Sequence, residues 1–225
     1  ASLAHYQTVG GSFCYNRSML IVFTGNGKGK TTAALGQAVR ALGRGKRVLM
    51  VQFIKGPWKS GEDEFVKKIK NQKSKIKIDS EEETIPDFEI KKMGLGFVGI
   101  LGDTLPREKH AEAAREALAY VKSEIAPKSP ADGASGQAPK SGSTTSGQAW
   151  DLVILDEVNV ALSLNLLTVA EVLGALKDVS PEKMVICTGR GAPQELIDRA
   201  DLVTEMREIK HPFSGGKTAK IAVEF

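Results

Sequence analysis

The chain has 225 residues, of which 41% are hydrophobic and 26% charged, values typical of a globular protein and sufficient for one α/β domain. Its 31 basic and 27 acidic side chains leave a net charge of +4, too diffuse an excess to indicate a nucleic-acid partner. No apolar run approaches the ~20 residues of a membrane span, and two cysteines cannot form a disulfide framework. No charged segment followed by an apolar run opens the chain, so we expect a cytoplasmic protein without membrane association.

The first 18 residues show no clear hydrophobic period, and we expect an N-terminal arm over 1–18 followed by a single α/β domain over 19–225. The domain begins with an apolar strand at 19–23, of the kind that is buried on both faces. An amphipathic helix at 33–42 follows. Its predicted apolar face carries Leu35, Ala38, Val39 and Leu42.

Between this strand and this helix lies a glycine-rich turn of the P-loop type. Glycines let successive backbone N–H groups point at a phosphate, and the helix N-terminus adds positive potential. Lys30 would reach phosphate oxygens, and the Thr31 hydroxyl would hold Mg²⁺. Thr24 stands where the usual pattern has its first glycine, and Lys28 adds a second cation, so a chance Gly/Lys-rich turn is the alternative. The predicted nucleotide-binding residues of the turn are Gly25, Asn26, Gly27, Lys28, Gly29, Lys30, Thr31 and Thr32.

A second apolar strand at 47–54 ends in a turn that carries a cation and an aromatic side chain, Lys55 and Trp58. Ligands of open α/β sheets bind at that carboxyl edge. The basic run from Lys67 to Lys77 is interpreted as a solvated face, with a short strand at 76–78.

Segment 91–102 interleaves four glycines with large apolar side chains, a composition that suits neither a helix nor a regular strand. Such a loop can close over a flat apolar ligand or lie against the core. The spacing alone does not separate these two interpretations.

A helix is predicted from Thr104, and His110 near its start is interpreted as a surface side chain. Segment 127–148 has no apolar side chain larger than alanine. It cannot offset its own ordering entropy, so we predict a disordered insertion within the domain. The apolar face of the helix is predicted to carry Ala114, Leu118, Val121 and Ile125.

An apolar strand at 151–155 ends in Asp156 and Glu157, the arrangement of a Walker B segment. A carboxylate at this strand end lies beside the P-loop and helps to hold Mg²⁺. Apolar strands ending in Asp are common, but the pairing with Lys30 and Thr31 makes the pattern specific. The predicted metal site therefore consists of Thr31, Asp156 and Glu157.

The remaining residues continue the alternation of helices and strands. A capping box at Thr168 and Glu171 starts a helix that we expect to extend to about Val179. A buried strand at 184–188 contains Cys187, interpreted as a core side chain, and it leads to Arg190 at the ligand edge. A short helix at 193–200 and a last core strand at 202–206 follow. This order predicts a P-loop NTPase-like (RecA-like), doubly wound α/β fold with a mainly parallel sheet and helices on both faces.

Together these motifs resemble the P-loop ATP:corrinoid adenosyltransferases, also called cob(I)alamin adenosyltransferases. The resemblance extends over 19–225 with the exception of 127–148. The segments that carry it are 24–34, 51–56, 96–97, 153–157, 188–191 and 210–213.

The resemblance implies a reaction in which Co(I) of a reduced corrinoid attacks C5′ of ATP, giving adenosylcobalamin or another adenosylcorrinoid and triphosphate. Its implied catalytic residues are Lys30, Glu157 and Phe97. Lys30 and Lys28 neutralise the departing triphosphate. Glu157 helps to hold Mg²⁺ and need not be a base, because cobalt carries no proton to remove. Phe97 lies on the corrinoid face and helps to remove the lower axial ligand of cobalt.

The resemblance also extends the list of binding residues and partners. Arg40 matches a family position near the nucleotide, and Arg190 is a cation at the same edge. The implied substrates are ATP and cobalamin or a precursor corrinoid, with Mg²⁺ as cofactor. A reductant protein such as a flavoprotein and a homodimeric state are implied as well.

One departure concerns the corrinoid contacts. The family often has Trp two positions after the phenylalanine, where this chain has Gly99. Either Phe97 works with another apolar residue such as Ile100 or Leu101, or the corrinoid binds differently. Two other functions are alternatives: a P-loop kinase or ATPase that transfers the γ-phosphoryl group, and a non-catalytic nucleotide-binding regulator.

Overall fold

The structure of the protein is a computed structural model that describes residues 6–9, 12–15, 18–72, 75–78, 81–100, 102–126 and 150–210. Its strands are, in chain order, β1 (Tyr6–Val9), β2 (Ser12–Tyr15), β3 (Met19–Thr24), β4 (Val48–Gln52), β5 (Lys75–Ile78), β6 (Glu81–Thr84), β7 (Phe88–Lys92), β8 (Leu152–Asp156), β9 (Met184–Thr188) and β10 (Leu202–Glu205). Its helices are α1 (Lys30–Leu42), α2 (Gly61–Gln72), α3 (Arg107–Ile125), α4 (Val158–Ser163), α5 (Val169–Ala175) and α6 (Gln194–Arg199).

Six of these strands form one sheet in the order β10-β3-β9-β8-β4-β7, and every neighbouring pair is parallel. The P-loop strand β3 and the carboxylate strand β8 are separated by β9. Two antiparallel pairs, β1 with β2 and β5 with β6, lie outside this sheet. The predicted P-loop NTPase-like fold is confirmed, and β9 must contribute to any site shared by β3 and β8.

Helices cover both faces of the sheet, and the alternation of side chains along the strands shows this directly. On β8, Leu152 and Ile154 pack in a cluster with α1 and Val66 of α2. Val153 and Leu155 point to the opposite face and pack with α3, α4, α5 and α6. All five residues of β8 are buried, as expected for a strand covered on two sides.

Several predicted elements are confirmed with adjusted ends. The helix expected from Thr104 begins at Arg107, and its apolar face is buried as predicted. The capping box of α5 is present, with the Thr168 hydroxyl accepting from the Glu171 amide, but the helix ends at Ala175. Cys187 is fully buried, and burial raises the pKa of its thiol to about 12, which fits a core side chain.

Other predictions are wrong. His110 is buried rather than on the surface, and its Nε2 lies 3.0 Å from Asp103 Oδ2. Val39 of α1 is 59% exposed, because Ala34, Ala38 and Ala41 supply the buried face. β10 is not a core strand, since it lies at the sheet edge with its four residues exposed.

Six elements were not predicted from the sequence: α2, α4, the edge strand β7 and the short strands β1, β2 and β6. Part of the basic run 67–77 belongs to α2 and β5, and Lys67 and Lys68 are exposed as expected for a solvated face. The predicted arm contains β1 and β2. The predicted insertion at 127–148 lies outside the described residues, and the division into an arm and one domain stays a prediction.

Candidate functional site

The P-loop connects β3 to α1 at the carboxyl edge of the sheet. Gly25 and Gly29 have φ angles of 92° and 113°, which L side chains rarely adopt. Gly25 and Gly27 also lie against the backbone of Met206 and Arg207, where an added Cβ would approach within 2.4 and 2.7 Å. Glycine is therefore required here both by backbone angle and by close packing.

Two backbone hydrogen bonds attach this loop to the segment after β10. The Gly27 amide donates to the Met206 carbonyl at 2.6 Å, and the Met206 amide donates to the Thr24 carbonyl at 2.8 Å. The Gly27 amide is thus engaged with protein rather than turned toward a phosphate. Its place in the predicted nucleotide site is structural in this geometry, because it fixes the shape of the loop.

Lys30, the first residue of α1, is folded into the loop. Its Nζ donates to the carbonyls of Gly25 and Gly27 at 2.8 and 2.6 Å, and the residue is only 7% exposed. Burial lowers the pKa of its ammonium group, Glu157 raises it, and Arg190 and Lys28 lower it further. The pKa of Lys30 is lowered overall, because burial and the two neighbouring cations outweigh the effect of Glu157. Such a site is suited to an anion.

The carboxylate of Asp156 is the centre of a hydrogen-bonded cluster at the end of β8. Its Oδ1 accepts from the Thr31 hydroxyl and from the Thr188 hydroxyl, each at 2.8 Å. Its Oδ2 accepts from the Gln52 side-chain amide at 3.2 Å. The sheet register explains this convergence, since Gln52 on β4 pairs with Asp156, and Thr188 ends the neighbouring strand β9.

Burial raises the pKa of Asp156, although the hydrogen bonds from Thr188, Thr31 and Gln52 oppose this effect. The same cluster contains a buried oxygen, Gln52 Oε1, that has no hydrogen-bond partner among the described residues. A buried carboxylate beside a hydroxyl and a free amide oxygen is a set of hard oxygen donors. Such donors are the ones that Mg²⁺ prefers.

Glu157 follows directly and has a left-handed backbone with φ of 63°. Its amide donates to the Thr188 hydroxyl at 3.0 Å, and a Cβ added at Gly189 would lie 3.2 Å from its Oε2. Burial and the neighbouring Asp156 raise the pKa of Glu157 to about 7, while Lys30 and Arg190 lower it. Two carboxyl groups close enough to influence each other's pKa form a place that favours a cation.

The other predicted nucleotide-binding residues lie at different distances from this cluster. Asn26, Lys28 and Thr32 are exposed at the loop and the first turn of α1, and Arg190 is exposed after β9. Arg40 lies in the last turn of α1, ten residues from Lys30, which corresponds to ~15 Å along the helix axis. The structure therefore does not bring Arg40 to the loop of its own chain.

A second part of the edge is apolar and lies at the ends of β4 and β7. The rings of Trp58 and Phe97 are 5.7 Å apart at their centroids and tilted by 31°. Both side chains are largely exposed, Trp58 by 55% and Phe97 by 45%. Leu95 and Ile100 of the same loop as Phe97 are also exposed, so this glycine-rich loop presents apolar side chains to solvent.

Glycines allow the two aromatic loops to meet. A Cβ at Gly94 would lie 2.4 Å from the Ile54 backbone, and one at Gly56 would lie 2.8 Å from the Trp58 ring. Gly96, with φ of 116°, lies under the same ring. The alternation of glycine and apolar residues thus serves close backbone packing, which the sequence pattern alone did not reveal.

Sequence reasoning missed several residues of the site. Gln52 and Thr188 belong to predicted strands, yet their contacts with Asp156 depend on sheet order, which no local pattern encodes. Met206 has no motif that would indicate its contact with the P-loop. Trp58 was noted only as an aromatic at a strand end, and its pairing with Phe97 bridges 39 positions of sequence.

The family model described as ATP:corrinoid adenosyltransferase BtuR/CobO/CobP matches residues 16–225. This chain belongs to that family. It is 35% identical to the corrinoid adenosyltransferase of Escherichia coli K12 over 209 residues, which cover 93% of this chain and 86% of the relative. It is 33% identical to corrinoid adenosyltransferase CobA of Salmonella typhimurium LT2, with the same coverage. It is 34% identical to the corrinoid adenosyltransferase of Pseudomonas aeruginosa PAO1, covering 93% and 84%.

Membership of the family confirms the enzyme class predicted from the sequence motifs. The chain is an ATP:corrinoid adenosyltransferase, and nothing in the comparisons favours a kinase, an ATPase or a regulator. Within the described residues, the structure has no helix that is both long enough and apolar enough to span a lipid bilayer.

Proposed function

We propose that the carboxyl edge of this sheet holds ATP by its phosphates at the P-loop and presents C5′ to a corrinoid seated at the Trp58–Phe97 end. One observation supports this division: a buried, charged cluster around Asp156 and an exposed apolar surface share one edge and lie at the ends of the neighbouring strands β8 and β4. Both chemistries that the reaction needs are therefore available on neighbouring strands.

In the proposed reaction the electron pair of Co(I) forms a bond to C5′ of the ribose. The bond between C5′ and its oxygen breaks, and the triphosphate leaves with the electron pair of that bond, so cobalt becomes formally Co(III). Negative charge develops on the leaving oxygen. Donors fixed in place around the phosphates stabilise that charge without reorganisation.

Lys30 is the residue that we assign to this role. Its ammonium group is already desolvated and is held by two loop carbonyls, so exchange toward phosphate oxygens needs only a short side-chain movement. Lys28 and Arg190 are exposed at the same opening, and both lie close enough to Lys30 to lower the pKa of its ammonium group. We assign them to the outer phosphate oxygens, with Asn26, Gly25, Gly29 and Thr32 forming the rest of the cradle.

The residues around Asp156 fit a magnesium ion. Thr31, Asp156 and Glu157 offer a hydroxyl and two carboxylates. Burial raises the pKa of both carboxyl groups, and a cation bound there would favour their charged forms. When bound, Mg²⁺ supplies charge neutralisation for the phosphates. The protein residues themselves fix the position of the P-loop relative to β8 through the Thr31–Asp156 hydrogen bond.

Arg40 is assigned differently from the rest of the set. Since it lies at the far end of α1, we propose that it acts only if a nucleotide or a second copy of the chain reaches that end. A homodimer, a protein reductant such as a flavoprotein that supplies Co(I), and a cytoplasmic location complete the proposal.

Anaerobic incubation with ATP, Mg²⁺ and chemically reduced cobalamin tests the proposal. We expect the visible spectrum to show the cobalt–carbon product, with one equivalent of triphosphate per adenosylcobalamin. Formation of ADP without a cobalt–carbon bond would instead support γ-phosphoryl transfer and would overturn the proposed orientation of ATP.

A further inference from the structure

The side chain of Trp58 is held in place by its surroundings and yet remains more than half exposed. Its six-membered ring lies across the Gly56 and Gly96 backbones, close enough that a Cβ at either position would come within 3.0 Å. A tryptophan that served only to pack two loops together would bury most of its surface. Its 55% exposure leaves one surface of the ring open to a ligand.

An ion pair fixes the backbone that carries this ring. Lys92, the last residue of β7, donates to the Trp58 carbonyl at 2.5 Å and also contacts Asp63 at 2.5 Å. Asp63 in turn accepts from the amide and hydroxyl of Ser60. The β4–α2 turn is therefore attached to the end of β7, directly before the loop that carries Phe97, and the rings of Trp58 and Phe97 lie side by side on this support.

The loop that carries Phe97 supplies no second aromatic side chain of its own in the described part of the chain. Gly99 has φ of 70°, a conformation that a tryptophan there would rarely adopt, although the space around it is open. Asp103 holds this conformation by accepting from the Gly99 and Leu105 amides and by contacting His110. A partner for Phe97 must come from elsewhere, and Trp58 is already beside it.

The size and place of the surface favour a macrocycle over a nucleobase. Four apolar side chains at this end of the edge, those of Trp58, Leu95, Phe97 and Ile100, are each 43% exposed or more, so the surface is built from several side chains rather than from one ring. The strand that leads to Trp58 is three strand spacings from the P-loop strand, or ~14 Å. This separation leaves room for triphosphate and ribose between the phosphate cradle and the aromatic pair.

From this geometry we propose that Trp58 is the second aromatic of the corrinoid site and packs with Phe97 against the corrin ring. The family resemblance implies that Phe97 helps to exclude the lower axial ligand of cobalt, and we extend that role to Trp58. The inference rests on the proposed function, since it needs a corrinoid at this end of the edge. Exclusion of the axial ligand leaves a four-coordinate Co(II), which accepts an electron more readily and gives the Co(I) nucleophile. Trp58 is thereby assigned a role in both corrinoid binding and reduction.

The test compares Trp58→Ala, Trp58→Phe and Phe97→Ala with the wild type. Phe65→Ala is the matched control, because Phe65 is an exposed aromatic on α2 and lies outside the proposed site. Three quantities are measured: the Kd of ATP, the KM and kcat for reduced cobalamin, and the fraction of four-coordinate Co(II) seen by electron paramagnetic resonance when cob(II)alamin and ATP are added.

For Trp58→Ala we expect a rise of about tenfold or more in the cobalamin KM and a clear loss of the four-coordinate signal. The Kd of ATP should stay within about twofold of the wild type, because a ring that contacts only the corrinoid does not change the free energy of ATP binding. Trp58→Phe should fall between, and Phe97→Ala should resemble Trp58→Ala. Phe65→Ala should match the wild type in all three measurements.

Two results would overturn the inference. If Trp58→Ala behaved like Phe65→Ala, the ring would have no part in the corrinoid site. If the Kd of ATP weakened as much as the cobalamin KM, the ring would contact the adenine instead. Should Trp58→Ala fail to fold, Trp58→Phe and Trp58→Leu decide by the same readouts. A wild type that formed no cobalt–carbon bond would refute the proposed function itself, which is a separate outcome.

Discussion

Lys30 is a buried cation of the P-loop, and its ammonium group donates to two backbone carbonyls. A buried cation beside Lys28 and Arg190 is stabilised chiefly by oxygen acceptors, so phosphate oxygens can take the place of the loop carbonyls. We therefore propose that this side chain acts on the transition state as well as on the fold.

We expect Lys30→Ala to lower kcat/KM for adenosylation by about 100-fold or more, because a fixed donor to the leaving group is lost. The rate of cobalt–carbon bond formation is measured as a function of ATP concentration at saturating cobalamin, and circular dichroism verifies the fold. Lys68→Ala, which removes an exposed lysine of α2, is the control and should keep the wild-type rate. A near-normal rate for Lys30→Ala would contradict the phosphate assignment.

Residue identities were predictable where a motif fixes both the side chain and its neighbours along the chain. The Thr31–Asp156 contact follows from two such motifs, and the structure places these atoms 2.8 Å apart. His110 was misassigned because its partner, Asp103, lies in the preceding loop, whose path the sequence does not specify. Gln52 is a strand residue by its pattern, and only the pairing of β4 with β8 reveals that it binds Asp156.

At the scale of elements, the junction between the β4–α2 turn and the β7–α3 loop depends on charge. Burial raises the pKa of Asp63, but hydrogen bonds from Lys92 and Ser60 outweigh it and hold the pKa below its ordinary value of 3.8. A carboxyl group whose pKa is depressed on folding stabilises the native state above its unfolded pKa. That stabilisation is lost as the pH falls through the folded pKa.

We therefore expect Asp63→Asn to lower the free energy of unfolding by about 1 kcal/mol at pH 7, with the same deficit at pH 5. Below about pH 3.8 the deficit should narrow, because the Asp63 carboxyl group of the unfolded wild type is protonated first and that of the folded protein follows at lower pH. Urea unfolding at pH 7, 5 and 3.5 measures this difference. Glu64→Gln is the control, because Glu64 is exposed and its ion pair with Lys67 is long at 3.8 Å. A deficit that grew on acidification would refute the assigned direction of the pKa shift.

The elements that sequence analysis found are those with continuous apolar runs, such as β8 and β9. β7 escaped notice because Phe88–Lys92 alternates buried and charged residues at a sheet edge and leads directly into a glycine-rich loop. β10 was placed correctly along the chain but assigned to the core, since a run of three apolar or β-branched residues does not indicate which strand will lie outermost. Position within a sheet is a property of tertiary pairing, and local propensity carries little information on it.

For the whole molecule, the alternation of strands and helices was enough to predict a doubly wound parallel sheet.

The binding of nucleotide to the native protein can be measured without turnover. A ligand that binds only the native state stabilises it by about 2.7 kcal/mol at 100 times its Kd. For a chain of this size that corresponds to a rise in Tm of roughly 5–10 °C.

We expect ATP with Mg²⁺ to raise the Tm by this amount, whereas AMP at the same concentration should have a much smaller effect because it lacks the β- and γ-phosphates. Differential scanning fluorimetry compares the two ligands, with Lys30→Ala expected to lose most of the ATP effect and Lys68→Ala to retain it. An equal shift with AMP would indicate that the adenosine end, not the phosphate end, supplies the affinity.

The three donors to Asp156 come from the helix α1 and the strands β4 and β9, which lie far apart along the chain. A partly folded intermediate in which any one of these had yet to dock would present an incomplete cation site and would bind Mg²⁺-ATP poorly. Nucleotide should consequently act late in folding. It would slow unfolding while leaving the rate of refolding almost unchanged, so ATP would protect the mature enzyme without guiding the nascent chain.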